Sequence, residues 1–315
     1  MTLPQLHITN GSVLTDYLKE LDFEGEFLTW QEILCEGPTL EFINTELFFK
    51  ERYSFLSQNY NVSDASVYDF PEQLKKLDDL SRYSEIILWF EYDLFCHINM
   101  CAAITILNRN NSKVPIRLVC SGRIHGVSDL KGLGELTEAQ LLQHYKDRIE
   151  LQEYDIELAI QVWQIYCGVD HNLFLPLIVK KSSFQYMSNC LKAHIKRFPD
   201  SKNGLSTLEF NILKLLEKNK DIKSKHHLLG YILNYQGYYG FGDSQLERII
   251  NKLAIFYDEE QDALTLNRKG YEALLGLHNF SNEINDDLVF GGVRKLDFQF
   301  NRKENKLIKT VPNAN

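Results

Sequence analysis

The chain has 315 residues, of which 44% are hydrophobic and 24% are charged, and its net charge is −9. This is the composition of an ordinary globular protein that is long enough for two domains, and it excludes a small disulfide scaffold. No apolar run approaches the length that spans a bilayer, so the sequence predicts no membrane segment.

The cysteines and the N-terminus indicate a reducing compartment. The six cysteines, at positions 35, 96, 101, 120, 167 and 190, form no CxxC pair. The first residues, MTLPQLHITN, lack the basic and then apolar stretch of a signal peptide. These features predict a cytoplasmic protein with reduced cysteines and no membrane partner.

The first unit reads as a strand, a small polar turn and a helix. The strand starts at Leu6, residues 9–12 (TNGS) form the turn, and a helical spacing follows. The helix dipole and the backbone N–H groups of such a turn converge on one point, which suits an anion. We therefore expect Asn10, Gly11 and Ser12 to bind an anionic ligand. The alternative is a tight turn in which Ser12 is only the N-cap.

The central feature of the sequence is an apolar strand that stops at acids. Residues 86–90 (IILWF) have the pattern of a strand buried on both faces of a parallel sheet, and Glu91 and Asp93 follow at once. Ligands of open α/β sheets bind outside the carboxyl ends of the strands. Glu91 and Asp93 are therefore the first catalytic candidates, as a metal pair or as an acid and a base. The alternative is that they cap the next helix.

Other strands would supply further groups to the same edge. Glu36 lies in the loop after the second strand, His7 lies in the first strand, and Arg123 follows the fourth strand, PIRLVCS. Glu36 and His7 complete the catalytic set, with His7 for proton transfer, and Arg123 joins the anion-binding set. A buried structural role is the alternative for His7. No zinc or cofactor motif is present, so the metal and the cofactor stay unassigned.

The order of elements predicts an α/β fold in three parts. Residues 1–135 form an open, mostly parallel sheet flanked by helices, residues 136–203 form a helical connecting segment, and residues 204–315 form a winged-helix-like α+β module. The last boundary follows the breaker residues of FPDSKNGLS. Ser206 and Glu209 have the spacing of a capping box at the start of the third part.

A basic stretch in the second half favours a different function. Residues 180–225 contain 11 basic and 4 acidic residues, although the whole chain is acidic. Such a segment can contact phosphate, and the third helix of the winged-helix-like part would be the recognition helix. The nucleic-acid-binding candidates are Lys192, Lys196, Arg197, Arg248 and Lys252. The alternative is an ordinary solvated helical face.

Five ordered blocks resemble one bacterial family. They are LHITNG at 6–11, WQEILCEGP at 30–38, ILWFEYDLF at 87–95, LVCSG at 118–122 and RFPDSKNGLSTLE at 197–209. A later block, FGGV at 290–293, is similar to the C-terminal region of that family. On these blocks the chain resembles the family known as domain of unknown function 1835. The resemblance spans most of the chain and implies little beyond architecture, since the family has no established activity.

Two functions follow from these patterns. The first is a cytoplasmic protein that binds a small anionic ligand, phosphate-like or nucleotide-like, at the carboxyl edge of the sheet, with or without its hydrolysis. The second is a ligand-sensing regulator or adaptor whose C-terminal module contacts DNA or a protein partner. The fold alone does not decide between these two functions, and it does not decide whether the protein is an enzyme.

Overall fold

The computed structural model of the protein describes residues 3–60, 62, 68–110, 113–127, 129–260 and 263–310. Over these residues the chain has a mixed α/β fold, with a mostly parallel sheet in its first half and small two- and three-stranded sheets elsewhere. The predicted fold class is confirmed. None of the described helices is both long enough and apolar enough to cross a membrane.

The main sheet has four parallel strands and one antiparallel edge strand. The strands are β1 (Leu6–Asn10), β2 (Glu26–Trp30), β4 (Ile86–Phe90), β5 (Ile116–Cys120) and β6 (Ile149–Glu150). They lie in the order β2–β1–β4–β5–β6, and only β6 is antiparallel to its neighbour. The chain moves from β1 outward to β2 and then returns to place β4 on the other side of β1. A ligand crevice is expected where the strand order reverses in this way.

Side chains alternate along β4 and fill two separate cores. Ile87 and Trp89 lie in a small core on one face, and the other three residues of β4 lie in a much larger core on the opposite face. Four helices contribute residues to these two cores: α1 (Ser12–Glu20), α4 (Leu94–Arg109), α5 (Glu138–Lys146) and α6 (Glu153–Cys167). Residues of α1 and α5 belong to the small core, and residues of α4 and α6 belong to the large core. Both faces of β4 are buried, which explains its unbroken apolar sequence.

The middle segment is mostly helical, as predicted, with one difference. After α5 the chain forms β6, which pairs with Arg117 and Leu118 and so extends the sheet. Next come α6, two short 3-10 helices at His171–Phe174 and Leu177–Val179, and α7 (Met187–Ile195). β6 was not predicted, because two residues are too few to show a period.

The C-terminal part contains three helices, a hairpin and a fourth helix. These are α8 (Thr207–Lys218), α9 (Lys225–Tyr235), α10 (Asp243–Lys252), the antiparallel strands β7 (Tyr257–Glu260) and β8 (Ala263–Leu266), and α11 (Arg268–Leu275). The predicted capping box is present: Ser206 N–H donates to Glu209 Oε2 at 2.6 Å, and Glu209 N–H donates to Ser206 Oγ at 3.2 Å. The name winged helix for this part stays a prediction.

The end of the chain returns to the first half. A short helix, α12 (Ser281–Ile284), leads to β9 (Val289–Gly291), which pairs in parallel with β3 (Gly37–Pro38) and antiparallel with β10 (Val293–Arg294). A C-terminal hairpin follows, formed by β11 (Phe298–Asn301) and β12 (Lys306–Lys309). Residues from all three predicted segments belong to the large core.

Candidate functional site

A cleft of about 740 Å³ opens at the carboxyl ends of β1 and β2. Its walls come from the turn after β1, the residues after β2, α2 (Glu46–Tyr60) and the start of α3 (Phe70–Leu74). The lining includes Asn10, Gly11, Ser12, Trp30, Glu32 and Tyr68. Three of the four residues predicted to bind an anion therefore lie together, beside the strand at which the order of the sheet reverses.

The cleft is bounded by an uncapped helix N-terminus. The N-cap of α1 is Gly11, with φ of 95°, and no side chain caps the first turn. The alternative reading of Ser12 as the N-cap is wrong, because Ser12 is the first helical residue and its side chain is exposed. Apart from Gly11 and its two chain neighbours, no heavy atom of the described residues lies within 4 Å of the position that a Cβ on Gly11 would occupy, so the space beside the turn is open. The positive end of the α1 dipole thus borders open volume.

Trp30 adds a buried donor that has no partner. This last residue of β2 lines the cleft and is 1% exposed, and its ring packs edge-on against Phe70 with 4.9 Å between the centroids. Within the described part of the chain, the Nε1–H group of Trp30 has no hydrogen-bond partner. Leaving a buried donor unpaired costs roughly 1–3 kcal/mol, so such a group calls for an explanation. Sequence analysis missed it, because an apolar pattern does not show where an indole N–H points.

The acidic side chain buried in the cleft wall is neutralised. Glu32 Oε2 accepts from Arg52 Nε at 3.0 Å in an ion pair excluded from solvent, and Glu32 Oε1 accepts from the hydroxyl of Tyr68. Arg52 also donates to three carbonyls of residues 33–38 and so fixes the loop after β2. The described lining contains no lysine or arginine. An anion in the cleft would therefore be held by dipoles and neutral donors.

Glu91 and Asp93 lie just beyond the end of β4, outside the lining of the cleft. Asp93 is the N-cap of α4, as the alternative reading expected, and its Oδ1 accepts from the N–H of Cys96 at 2.8 Å. Glu91 does not cap this helix. Its Oε1 accepts from the N–H of Leu133 at 2.6 Å, which ties β4 to the short 3-10 helix Leu133–Glu135.

Burial dominates the electrostatics at the end of β4. It raises the pKa of Asp93 to about 7, and the charge of Glu91 acts in the same direction. Burial also raises the pKa of Glu91, against the opposing effect of two backbone N–H groups. It lowers the pKa of His97 to about 4, and His97 Nδ1 donates to the Asp93 carbonyl at 2.9 Å. This end of the sheet therefore places a carboxyl that titrates near neutral pH beside a neutral imidazole.

Asn10 connects the cleft with this acidic region. Its Nδ2 donates to Cys96 Sγ at 3.2 Å, and its Oδ1 accepts from Asn99 Nδ2 at 2.8 Å. Asn99 Nδ2 also donates to the carbonyl of Glu32 at 2.8 Å. One chain of hydrogen bonds thus runs from the cleft wall to the first turn of α4.

Glu36 and Arg248 were predicted for two different functions, and the structure pairs them with each other. Glu36 is 2% exposed and forms an ion pair with Arg248, and it also accepts from the hydroxyl of Tyr60 at 2.6 Å. Glu36 is therefore not a free carboxylate at the sheet edge, and Arg248 is not a free cation on α10. Their pairing joins the first half of the chain to the third part.

His7 and Arg123 also lie away from the cleft. His7 is buried in the sheet, where Trp89 Nε1 donates to its Nδ1 at 3.0 Å and its Nε2 donates to the Glu24 carbonyl at 3.1 Å. Placing His7 among the strand-end groups was wrong, because both ring nitrogens are occupied and burial lowers its pKa. The side chain of Arg123 is exposed and does not line the cleft.

The predicted basic face is incomplete. Lys192 and Lys196 are exposed, as expected. The placement of Arg197 on that face was wrong: it is 4% exposed, donates to the Cys35 carbonyl at 2.7 Å and lies 3.8 Å from the centroid of Phe290. On α10, Lys252 forms an ion pair with Asp286, just as Arg248 does with Glu36.

Comparisons with known proteins add little to this geometry. No family model matches the chain, and no curated protein matches it. Among solved structures, the chain is similar to the Plasmodium falciparum topoisomerase II DNA-binding, cleavage and re-ligation domain, with 13% identity and a TM-score of 0.47. That match covers 82% of this chain and 43% of the other, and a likeness of this size supports neither a shared fold nor a shared activity. The resemblance to the domain of unknown function 1835 family stays a prediction.

Proposed function

We propose that the protein binds a small anionic ligand of the nucleotide class in the cleft, with a phosphate at the N-terminus of α1. The observation that carries this proposal is a set of hydrogen-bond donors, unpaired among the described residues, on residues that line or adjoin one open volume. These donors are the first N–H groups of α1, the exposed hydroxyl of Ser12 and the Nε1–H of Trp30. A phosphate accepts several hydrogen bonds at once, and a helix N-terminus is a common site for it.

The rest of the lining favours a nucleotide over a bare phosphate. Tyr68, Phe70 and Phe95 supply aromatic rings to the wall, and Gln31 is exposed at the end of β2. In doubly wound sheets a phosphate lies at the first helix, and the ribose lies near a polar residue after the second strand. Aromatic rings stack on bases, and the volume of the cleft is in the range of small-molecule sites.

The test is a pair of substitutions at one exposed position. Ser12→Asp and Ser12→Asn place side chains of nearly equal size at the first residue of α1, and only the aspartate adds a charge. An acid in the first turn stabilises a helix by about 0.3–1 kcal/mol, so Ser12→Asp should raise the unfolding temperature. The same charge should repel a bound phosphate.

The readout is calorimetric titration of the full-length protein with ADP, AMP, inorganic pyrophosphate and adenosine. We expect the affinity for the phosphorylated probes to fall at least about tenfold in Ser12→Asp and to change less than about threefold in Ser12→Asn. Trp30→Phe, which keeps the ring but removes the N–H, should cost about 0.5–1.5 kcal/mol of binding. Equal affinities in the two Ser12 variants, or no binding of any phosphorylated probe by the unmodified protein, would overturn the proposal.

Neither Glu91 nor Asp93 lines the cleft, so the proposal is one of binding and assigns no hydrolytic step. A cytoplasmic location is part of the proposal, and it fits the six cysteines, all of which are free thiols.

The regulator or adaptor function stays a second prediction. The side chains of α10 best suited to read bases are engaged elsewhere, since Gln245 is buried and Arg248 and Lys252 are in ion pairs. Lys192 and Lys196 remain exposed for a nucleic acid or protein partner. A mobility shift of duplex DNA at low salt, lost when both lysines are changed to glutamate, would support the DNA version of this function.

A further inference from the structure

We propose that Glu91, Asp93 and Cys96 form a binding site for one divalent cation of the zinc class. Each of the three residues offers a ligand atom, and these atoms all lie within 4.8 Å of one another. Ligand atoms around a tetrahedral zinc ion lie about 3.5 Å apart, given bond lengths near 2.0–2.3 Å. Small side-chain rotations would therefore bring the three atoms onto one metal.

The fold orients both carboxylates before a metal binds. Glu91 Oε1 is fixed by the N–H of Leu133, and Asp93 Oδ1 is fixed by the N–H of Cys96. Metal ligands in proteins are commonly held by such outer hydrogen bonds, which set their direction. Cys96 lies in the first turn of α4, so its thiol is also carried on a rigid element.

Ser121 gives an independent indication of a ligand at this place. It directly follows β5 and is 1% exposed, and its Oγ has no hydrogen-bond partner among the residues that the structure describes. Glu91 and Ser121 each follow one residue after the register pair of Phe90 with Cys120. Because β4 ends at Phe90 and β5 ends at Cys120, Ser121 is the neighbour of Glu91 at this edge of the sheet, where a bound metal or its water would satisfy the hydroxyl.

The mixture of ligands selects the class of metal. Mg²⁺ and Ca²⁺ prefer sites built from oxygen alone, whereas a thiolate favours zinc and similar transition metals. Two carboxylates and one thiolate leave the fourth position of a tetrahedron for a water molecule.

The third part of the chain closes the site. The carbonyls of Tyr238 and Tyr239 accept from the N–H groups of Leu94 and Phe95 in the first turn of α4, at 2.8 and 3.3 Å. Gly240 packs so tightly against the Asp93 carboxyl that a Cβ there would collide with it. A metal enclosed in this way would stabilise the fold, because it binds the native state and finds no such site in the unfolded chain.

The experiment is a titration of full-length, chelator-treated, reduced protein with Co²⁺, followed by Zn²⁺. We expect one equivalent of Co²⁺ to produce a sulfur-to-cobalt charge-transfer band in the near ultraviolet and visible bands of four-coordinate cobalt. Zn²⁺ should displace it and raise the unfolding temperature. No nucleotide is present, so the result is independent of the proposed ligand in the cleft.

The variants locate the ligands. Cys96→Ser should abolish the charge-transfer band, while Cys101→Ser, a change of another buried thiol on the same helix, should leave it unchanged. Substitution of a residue that only holds a metal ligand in place typically weakens metal binding by roughly 10–100-fold. Glu91→Gln and Asp93→Asn should weaken Zn²⁺ binding by more than this, because each removes a ligand. Asparagine still caps a helix, so Asp93→Asn tests the site even if Cys96→Ser fails to fold, and circular dichroism checks the fold of each variant.

Three outcomes would overturn the inference. The first is the absence of Co²⁺ and Zn²⁺ binding at micromolar concentrations. The second is a cobalt spectrum without a sulfur band, or one that Cys96→Ser does not change. The third is a Zn²⁺ affinity that Glu91→Gln and Asp93→Asn leave unaltered.

Discussion

A relay of buried side chains predicts that the protein loses stability in acid. Arg197 donates to His194 Nδ1 at 2.8 Å, so His194 Nε2 carries the hydrogen that it shares with His171 Nδ1 at 2.8 Å. His171 Nε2 in turn donates to the Tyr166 carbonyl at 3.0 Å. Every nitrogen of the two rings is occupied, and both rings must be neutral. A proton added to either imidazole breaks the relay.

The pKa values give the direction and the size of the effect. Burial lowers the pKa of His171 to about 4, and burial with the Arg197 guanidinium lowers that of His194. At a pH between the unfolded pKa, near 6.5, and the lower folded pKa, the unfolded state binds more protons than the folded state. The free energy of unfolding therefore keeps the full contribution of these neutral rings above pH 6.5 and decreases as the pH drops towards 4. For His171 alone, the loss between pH 7.5 and pH 5 is about 2 kcal/mol.

The assay is urea unfolding at pH 7.5 and pH 5 for the unmodified protein and His171→Asn. An amide at position 171 can still accept and donate, but it does not titrate. His171→Asn should have a lower free energy of unfolding than the unmodified protein at pH 7.5. Its decrease in this free energy between pH 7.5 and pH 5 should be smaller than that of the unmodified protein by about 2 kcal/mol. The other buried histidines, His7 and His97, contribute to both proteins and cancel in this difference.

A control separates this mechanism from a general acid effect. His125 is exposed, and His125→Asn should leave the pH dependence unchanged. Parallel losses of stability in the unmodified protein and His171→Asn would refute the assignment of the acid sensitivity to the relay.

Three further predictions concern pairs of residues and salt. Arg248→Met should lower the free energy of unfolding, measured with urea, by about 3 kcal/mol because it leaves Glu36 buried without its cation. Adding Glu36→Gln to this variant should recover most of that loss, whereas additive losses in the double variant would contradict the pairing. Gly240→Ala should lower the free energy of unfolding by at least about 1 kcal/mol more than Gly237→Ala. The value of φ is near 70° at both positions, but of the two glycines only Gly240 contacts Asp93. Equal melting temperatures of the two variants would exclude that contact as the cause. Nucleotide affinity, measured by calorimetry, should change less than about threefold between 50 and 200 mM salt, because the cleft lining that the structure describes contains no lysine or arginine. A steep dependence would point to an unrecognised cation.

The sequence was most informative where one local pattern determined the environment. The apolar run of β4 predicted a strand buried on both faces, and the strand is buried in this way. The catalytic role of Glu91 and Asp93 beyond its end stays a prediction. The turn after β1 was also predicted, but the first residue of α1 was off by one position, so that Ser12 became a helical residue instead of a cap. Short-range patterns fix such boundaries only to within a few residues.

The sequence was least informative where the partner is remote. Glu36 and Arg248 were each expected at a different functional surface, and nothing near either residue indicates that they meet. Arg197 likewise belongs to a basic stretch by sequence, yet its partner is a carbonyl at Cys35. Such contacts come from tertiary packing. Charged side chains tend to stay exposed, and packing buries them only where the fold supplies a partner.

The pairing of β9 with β3 has a consequence for biosynthesis. Gly37 pairs with Phe290, which emerges from the ribosome more than 250 positions later. At about 5–20 residues per second, the first half of the chain therefore waits roughly 10–50 s for the strand that completes it. During that time the apolar surface that Phe290 covers stays open to other chains. We expect nascent chains that stop before β9 to depend on chaperones and to aggregate when released, whereas the full-length chain should become protease-resistant only after its last strands are made.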